Sequence, residues 1–131
     1  MKLSTRGRYG LMAMHRLALN YGKGPISINS IAEEEKLSVA YLEQLFSRLK
    51  KTGLVKSSRG AQGGYQLTRE PSEIALGEII NALEGDMSFS CRTGEDEINC
   101  SREEVCSTKH ILDRIQSGVD EVLDSMTLAD M

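Results

Sequence analysis

The sequence predicts a mostly α-helical fold with one small β-hairpin and a long C-terminal helix. Apolar residues recur at helical spacing in five segments, at about residues 4–21, 27–35, 38–52, 76–83 and 107–125. Strand character occurs in one stretch, on both sides of a glycine-rich loop between residues 54 and 67. The last helical segment is longer than the one before it. Its apolar stripe needs a partner to cover it.

Caps and breaks divide the first half of the chain into three helices. Residues 22–25 (GKGP) end the first helix. Ser27 and Ser38 can each accept a hydrogen bond from first-turn amides, so we expect them to cap the second and third helices. Gly53 is placed to adopt the left-handed conformation that ends the third helix. The second and third helices, joined by a brief turn, form a predicted helix-turn-helix.

The hairpin after the third helix is interpreted as a wing. Residues 54–58 and 65–67 form its strands, and residues 59–64 (RGAQGG) form its loop. A phosphate-binding loop would join a strand to a helix and end in Gly-Lys-Ser/Thr, and this loop does neither. The sequence therefore predicts a winged helix-turn-helix.

The C-terminal helix carries the alternating spacing of a coiled-coil seam. Its apolar residues are spaced by three and four positions: Leu112, Ile115, Val119, Val122 and Met126. We expect this helix to pair with a second copy, because most helix-turn-helix proteins read paired half-sites as dimers. The predicted organisation is a DNA-binding domain at 1–84, a cysteine-bearing sensor loop at 85–106, and a dimerisation helix with its tail at 107–131.

Charge is distributed unevenly along the 131 residues. The net charge is −3, yet residues 1–70 carry a balance of +7 and residues 71–131 a balance of −10. A basic half joined to an acidic half favours contact of the basic half with a polyanion. The N-terminus has no apolar signal core and no apolar run is long enough to cross a bilayer, so we expect a cytoplasmic protein without a membrane partner.

The exposed face of the third helix offers side chains for reading DNA. Gln44 can bond an adenine through two hydrogen bonds, and Glu43 can accept from a cytosine amine or reject wrong sequences. Arg59 at the wing tip suits a narrow minor groove. Five more side chains are candidates for phosphate contacts, which position a protein without reading sequence: Tyr41, Ser47, Arg48, Lys50 and Lys51. The alternative is a solvated helix face without a nucleic-acid partner.

Three cysteines, Cys91, Cys100 and Cys106, lie within 16 consecutive residues. An odd number in a chain without a signal peptide does not predict a disulfide framework. The gaps of eight and five residues lack the short knuckles of zinc sites, and longer loops suit an iron–sulfur core. Thiol-based sensing and zinc binding stay open as alternatives.

Four stretches of the sequence resemble a known superfamily. They are residues 1–10 (MKLSTRGRYG), 41–49 (YLEQLFSRL), 59–60 (RG) with 63–65 (GGY), and 127–130 (TLAD). The superfamily comprises winged-helix regulators of the IscR, CymR and NsrR type, and the cysteines resemble the IscR-like branch. The resemblance implies a homodimer with crossing long helices, DNA contacts by Tyr41, Glu43 and Gln44 in the major groove, and Arg59 in the minor groove. The family's serine before Tyr41 is Ala40 here.

The same resemblance implies a [2Fe–2S] cluster held by the three cysteines and a histidine. This chain departs from that pattern, because the family's histidine aligns with Lys109 and His110 lies one residue further, about 100° around the helix. The candidates for the fourth ligand are His110, Glu104, another carboxylate of the loop, or a residue of the N-terminal helix of either subunit.

These residues fit three candidate functions to different degrees. Most features are explained by a DNA-binding regulator that is controlled by a [2Fe–2S] cluster. We expect it to be a repressor that acts in iron–sulfur or cysteine metabolism. A winged-helix regulator that senses through cysteine thiols or a protein partner is the alternative. An enzyme is disfavoured, because the sequence has no nucleophile–base pair, Cys-x2-Cys motif or phosphate loop.

Overall fold

The computed structural model describes residues 3–61, 63–85 and 107–131. In these ranges it contains five α-helices and one two-stranded sheet. The elements are α1 (Thr5–Leu19), α2 (Ile28–Glu35), α3 (Val39–Lys51), β1 (Val55–Ser58), β2 (Gly64–Leu67), α4 (Leu76–Glu84) and α5 (Lys109–Ser125). Two 3-10 turns, Pro71–Glu73 and Leu128–Asp130, complete it. The predicted fold class is confirmed, with helix and strand ends shifted by one or two residues.

The expected caps hold α2 and α3 in place. Ser27 Oγ accepts from the amide of Ser30 at 3.2 Å, and Ser38 Oγ accepts from the amide of Tyr41 at 3.1 Å. Gly53, with φ of +79°, follows α3 in the left-handed region. Both ends of α3 are therefore fixed by local sequence, as predicted.

One face of α3 forms the centre of the core. Leu42, Leu45, Phe46 and Leu49 are all buried. Around them pack buried apolar residues from every other element except α5 and the Pro71–Glu73 turn, among them Met14, Leu17, Ile31, Val55, Leu67, Ile79, Leu83 and Leu128. Since this face is completely covered, the opposite face of α3 lies on the outside.

The hairpin is attached to the helices by a third extended segment. β1 and β2 pair antiparallel, from Val55 opposite Leu67 to Ser58 opposite Gly64. Tyr65 also exchanges two backbone hydrogen bonds of 2.9 Å with Ile26, just before α2. Its ring stacks on Phe46 of α3, with centroids 4.4 Å apart. A Cβ at Gly64 would overlap the backbone of Ile26, so glycine allows this close approach.

Helices α1 and α4 pack closely where α4 ends. Glu84 Oε1 accepts from the amides of Ser4 at 3.1 Å and Gly7 at 2.8 Å, and from the Ser4 hydroxyl. A Cβ at Gly10 would overlap the Leu83 side chain. Two glycines on α1 thus leave room for the end of α4, and a carboxylate lies at the positive N-terminus of α1.

The C-terminal turn anchors the far end of α5. Leu128 is buried, and its amide donates to Ile74 O at 3.0 Å, while the amide of Leu76 donates to Met126 O at 2.9 Å. No residue of α5 itself is buried. The helix is therefore fixed at its C-terminal end and leaves much of its apolar surface open.

The protonation of Glu84 makes part of the stability depend on pH. Desolvation raises the pKa of this carboxyl, but the hydrogen bonds from Ser4 and Gly7 outweigh it, so the pKa lies below its ordinary value of 4.5. A carboxyl with a lowered native pKa stabilises the fold fully above its ordinary pKa. That contribution is lost as pH falls through the lowered value.

We expect Glu84→Gln to lower the free energy of unfolding by about 1 kcal/mol at neutral pH, the usual cost of a weakened helix cap. The difference from the wild type should shrink as the pH falls below 4.5. Urea unfolding across that pH range measures it, with the exposed Glu70→Gln as the control. A difference that stayed constant with pH would contradict the assignment.

Candidate nucleic-acid interface

The outward face of α3 presents the side chains that the sequence predicts for base reading. Glu43 and Gln44 are both exposed. Neither makes a hydrogen bond or an ion pair to any residue that the structure describes. Ala40 and Ser47 lie on the same exposed face. Carboxylate, amide and hydroxyl groups are therefore free to meet an external partner along one side of a rigid helix.

Tyr41 is held in place by α1. Its hydroxyl lies 3.5 Å from Thr5 Oγ1, and its ring meets the ring of Tyr9 edge-on, with centroids 6.1 Å apart and planes at 87°. The side chain is only half-buried. Because α1 already orders this side chain, the phenol would lose little further rotational freedom on contacting a partner.

These contacts bring the N-terminus of α1 next to the start of α3. Arg6 and Arg8 belong to the first two turns of α1, and both are exposed. Neither cation is among the DNA-binding residues predicted from the sequence. Their position in the basic half of the chain was a signal, and the contacts of Thr5 and Tyr9 with Tyr41 place this part of α1 next to the start of α3.

The cations at the end of α3 differ in what they bind. Arg48 Nη1 donates to Leu83 O of α4 at 3.2 Å, and Lys50 Nζ donates to Ser57 Oγ of β1 at 2.9 Å. Lys51 is exposed and makes no ion pair with the described residues. A structural role therefore accompanies the predicted phosphate contact at Arg48 and Lys50, while Lys51 is open to a partner.

Arg59 lies where β1 turns into the wing loop. It is exposed, as predicted for a wing-tip cation. The amide of Gly63 donates to Gly60 O at 3.0 Å, and Gly60 has φ of +106°. The loop thus has glycine where the backbone turns sharply, and a Cβ at Gly63 would overlap the backbone of Ser58 and Arg59.

The predicted cluster ligands are placed only in part. His110 is exposed in the first turn of α5. Cys91, Cys100, Cys106 and the alternative ligand Glu104 lie outside the described residues. Among the residues that are described, no three histidine, cysteine or carboxylate side chains come together as a metal site.

The predicted seam of α5 divides into two groups. Leu112 and Val119 are half-buried. The other three seam residues are exposed, and together with Ile111, which lies outside the predicted seam, they form what we call the α5 stripe: Ile111 (59% exposed), Ile115 (42%), Val122 (55%) and Met126 (37%). Gly118 interrupts the stripe, and nothing lies within 4 Å of where its Cβ would be. Within the described ranges, no helix is long and apolar enough to cross a membrane.

Comparison with known proteins gives one consistent result. The model of the Rrf2 family, described as an iron-dependent transcriptional regulator, matches residues 3–131. The transcriptional regulator CymR of Bacillus subtilis is 50% identical over 131 residues, which cover all of this chain and 89% of CymR. The regulator IscR of Sodalis glossinidius is 40% identical over 132 residues, covering all of this chain and 78% of that protein.

Solved structures agree with the sequence matches. The structure of CymR, named there the global cysteine regulator of B. subtilis, has a TM-score of 0.79 and covers 99% of this chain and 95% of its own. The structure of IscR from T. potens is 47% identical with a TM-score of 0.78, covering 100% of this chain and 85% of that one. The relatives are transcriptional regulators rather than enzymes.

Proposed function

Since the chain belongs to the Rrf2 family of transcriptional regulators, we propose that it acts as a homodimer that represses transcription by binding specific duplex sequences. The single observation that carries this proposal is the free polar edge of α3. Glu43 and Gln44 are exposed and unpaired within the described structure, on a helix whose other face is fully buried. A helix presented in this way fits the major groove, where the pattern of donors and acceptors identifies each base pair.

The division of labour among the side chains follows from their chemistry. The Gln44 amide has both a donor and an acceptor and matches adenine, whereas the Glu43 carboxylate can only accept and matches cytosine. Tyr41, Ser47 and Lys51 are assigned to phosphates, with Arg6 and Arg8 added from α1. Arg59 is assigned to the minor groove beside the wing. Arg48 and Lys50 are also assigned to phosphates, in addition to the hydrogen bonds that they donate to α4 and β1.

We expect Gln44→Ala to weaken binding to the preferred duplex by about 1–3 kcal/mol and to relax selection at one base position. Lys51→Ala should instead weaken all duplexes equally and reduce the salt dependence by about one counterion. Selection from a random duplex pool, followed by titration at several salt concentrations, measures both. An unchanged base preference in Gln44→Ala would show that α3 does not read the sequence.

Dimerisation is assigned to α5. The α5 stripe leaves four large apolar side chains in water along one line of the helix. A second copy of the same helix would cover them by the packing of a coiled-coil seam. Gly118 lies within the stripe and permits a close crossing of two helices. The two-fold arrangement then presents two α3 helices to paired half-sites.

We expect Ile115→Glu to shift the protein from dimer to monomer, because a charge would be buried at the interface without a partner. Ser117→Glu places the same charge on another face of α5 and should leave the dimer intact. Sedimentation equilibrium over a range of protein concentrations distinguishes the two states. An unchanged dimerisation affinity in Ile115→Glu would show that the α5 stripe is not part of the dimer interface.

The input signal is assigned to the three cysteines. Three thiolates and the imidazole of His110 form a donor set whose chemistry suits the iron of a [2Fe–2S] cluster, and Cys91, Cys100, Cys106 and His110 would hold it. The family description and the IscR relatives support this assignment. Oxidants or iron shortage would remove the cluster, and this loss would be the signal.

A second input is favoured by the relative that is named a cysteine regulator. In that case the same cysteines would respond as thiols, through sulfenic acid or mixed disulfides, or a protein partner would carry the signal. With either input, we propose a role in the control of iron–sulfur or cysteine metabolism, as the IscR and CymR relatives suggest. The two differ in whether iron is present.

We expect protein purified without oxygen to contain iron and acid-labile sulfide in equal amounts, and to show visible absorption that Cys100→Ser abolishes. Iron and sulfide analysis measures this, and His110→Ala tests the fourth ligand in the same assay. Iron-free, colourless protein whose DNA binding still responds to oxidants would instead establish the thiol input.

A further inference from the structure

The last residue of α4 caps the first turn of α1. Ser4, which precedes α1 in an extended conformation, makes no capping hydrogen bond to its own helix. Glu84 takes this role, since its Oε1 accepts from the Ser4 amide at 3.1 Å and the Gly7 amide at 2.8 Å. A carboxylate is well suited to this place, because helix N-termini carry unpaired amides and partial positive charge.

The surroundings of Glu84 fit this contact closely. A Cβ at Gly7 would lie 2.7 Å from Glu84 Oε1, and one at Gly10 would overlap Leu83. Both glycines are buried inside a helix, where glycine is unfavourable by roughly 0.5–1 kcal/mol relative to alanine. Space for the end of α4 is a sufficient reason for both.

The same junction reaches the recognition face from two sides. The first turns of α1 hold Tyr41 through Thr5 and Tyr9. On the other side, Arg48 of α3 donates to Leu83 O, the carbonyl just before Glu84. The end of α4 is therefore bound both to the helix that supports Tyr41 and to α3 itself.

We infer that Glu84 is a positioning residue for DNA binding, which fixes the N-terminus of α1 and through it the side chain of Tyr41. The inference rests on the proposed function and deepens it, because Glu84 lies immediately before Gly85 and the cysteine-bearing residues 86–106. A conformational change around the cysteines would then reach the recognition face through the contact between Glu84 and the N-terminus of α1.

A double-mutant cycle tests the inference. Wild type, Glu84→Ala, Tyr41→Ala and the double variant are titrated against the duplex that the wild type selects from a random pool. Glu84→Ala should weaken binding roughly fivefold, the lower end of the range for coupled sites. Its effect should largely vanish in the Tyr41→Ala background. Glu84→Gln, which keeps one acceptor oxygen, should recover part of the loss, and Glu70→Ala should cost nothing.

Thermal unfolding of each variant gives the fraction of folded protein at the assay temperature. Affinities are then compared per folded protein, which separates an effect on positioning from a loss of stability. If Glu84→Ala proves unfolded, Glu84→Gln takes its place in the cycle. Full affinity in a folded Glu84 variant, or an equal loss with and without Tyr41, would overturn the inference alone. A wild type that selects no duplex would contradict the proposed function, and the inference with it.

Discussion

Burial of one face of α3 is the constraint on which the rest of this structure depends. Leu42, Leu45, Phe46 and Leu49 lie fully inside the core, and each contributes about 1.5–3 kcal/mol by leaving water. A rotation of the helix about its axis would expose these side chains. The polar edge with Glu43 and Gln44 is therefore directed outward by the hydrophobic effect, with no contact of its own needed to hold it there.

The wing and α1 take their positions from the same helix. Phe46 stacks on Tyr65 of β2, and Tyr65 pairs through its backbone with Ile26 ahead of α2. On the other side, Tyr41 meets Thr5 and Tyr9 of α1. The hairpin that carries Arg59 and the helix end that carries Arg6 and Arg8 are thus both attached to α3, so the proposed DNA contacts would start from one connected unit.

The two ends of the chain differ in how their apolar surface is covered. Up to Glu84 and at Leu128, most large apolar side chains are buried, with Leu19 (60% exposed) the most exposed exception, whereas α5 has no buried residue. In the proposed dimer, a second copy of the chain would cover the exposed α5 stripe. Assembly and DNA reading would then be linked, because the spacing of the two α3 helices would depend on how the two α5 helices cross.

Local chemistry in the sequence determined the elements. Helical periodicity, the caps at Ser27 and Ser38, and the glycine after α3 act within a few residues, so each could be read in isolation. Tertiary structure decided which distant groups meet: Glu84 with Ser4, Ile26 with Tyr65, and Arg48 with Leu83. It also divided the single predicted seam of α5 into half-buried and exposed groups. Such pairings depend on packing geometry in three dimensions, and no spacing along the chain encodes them.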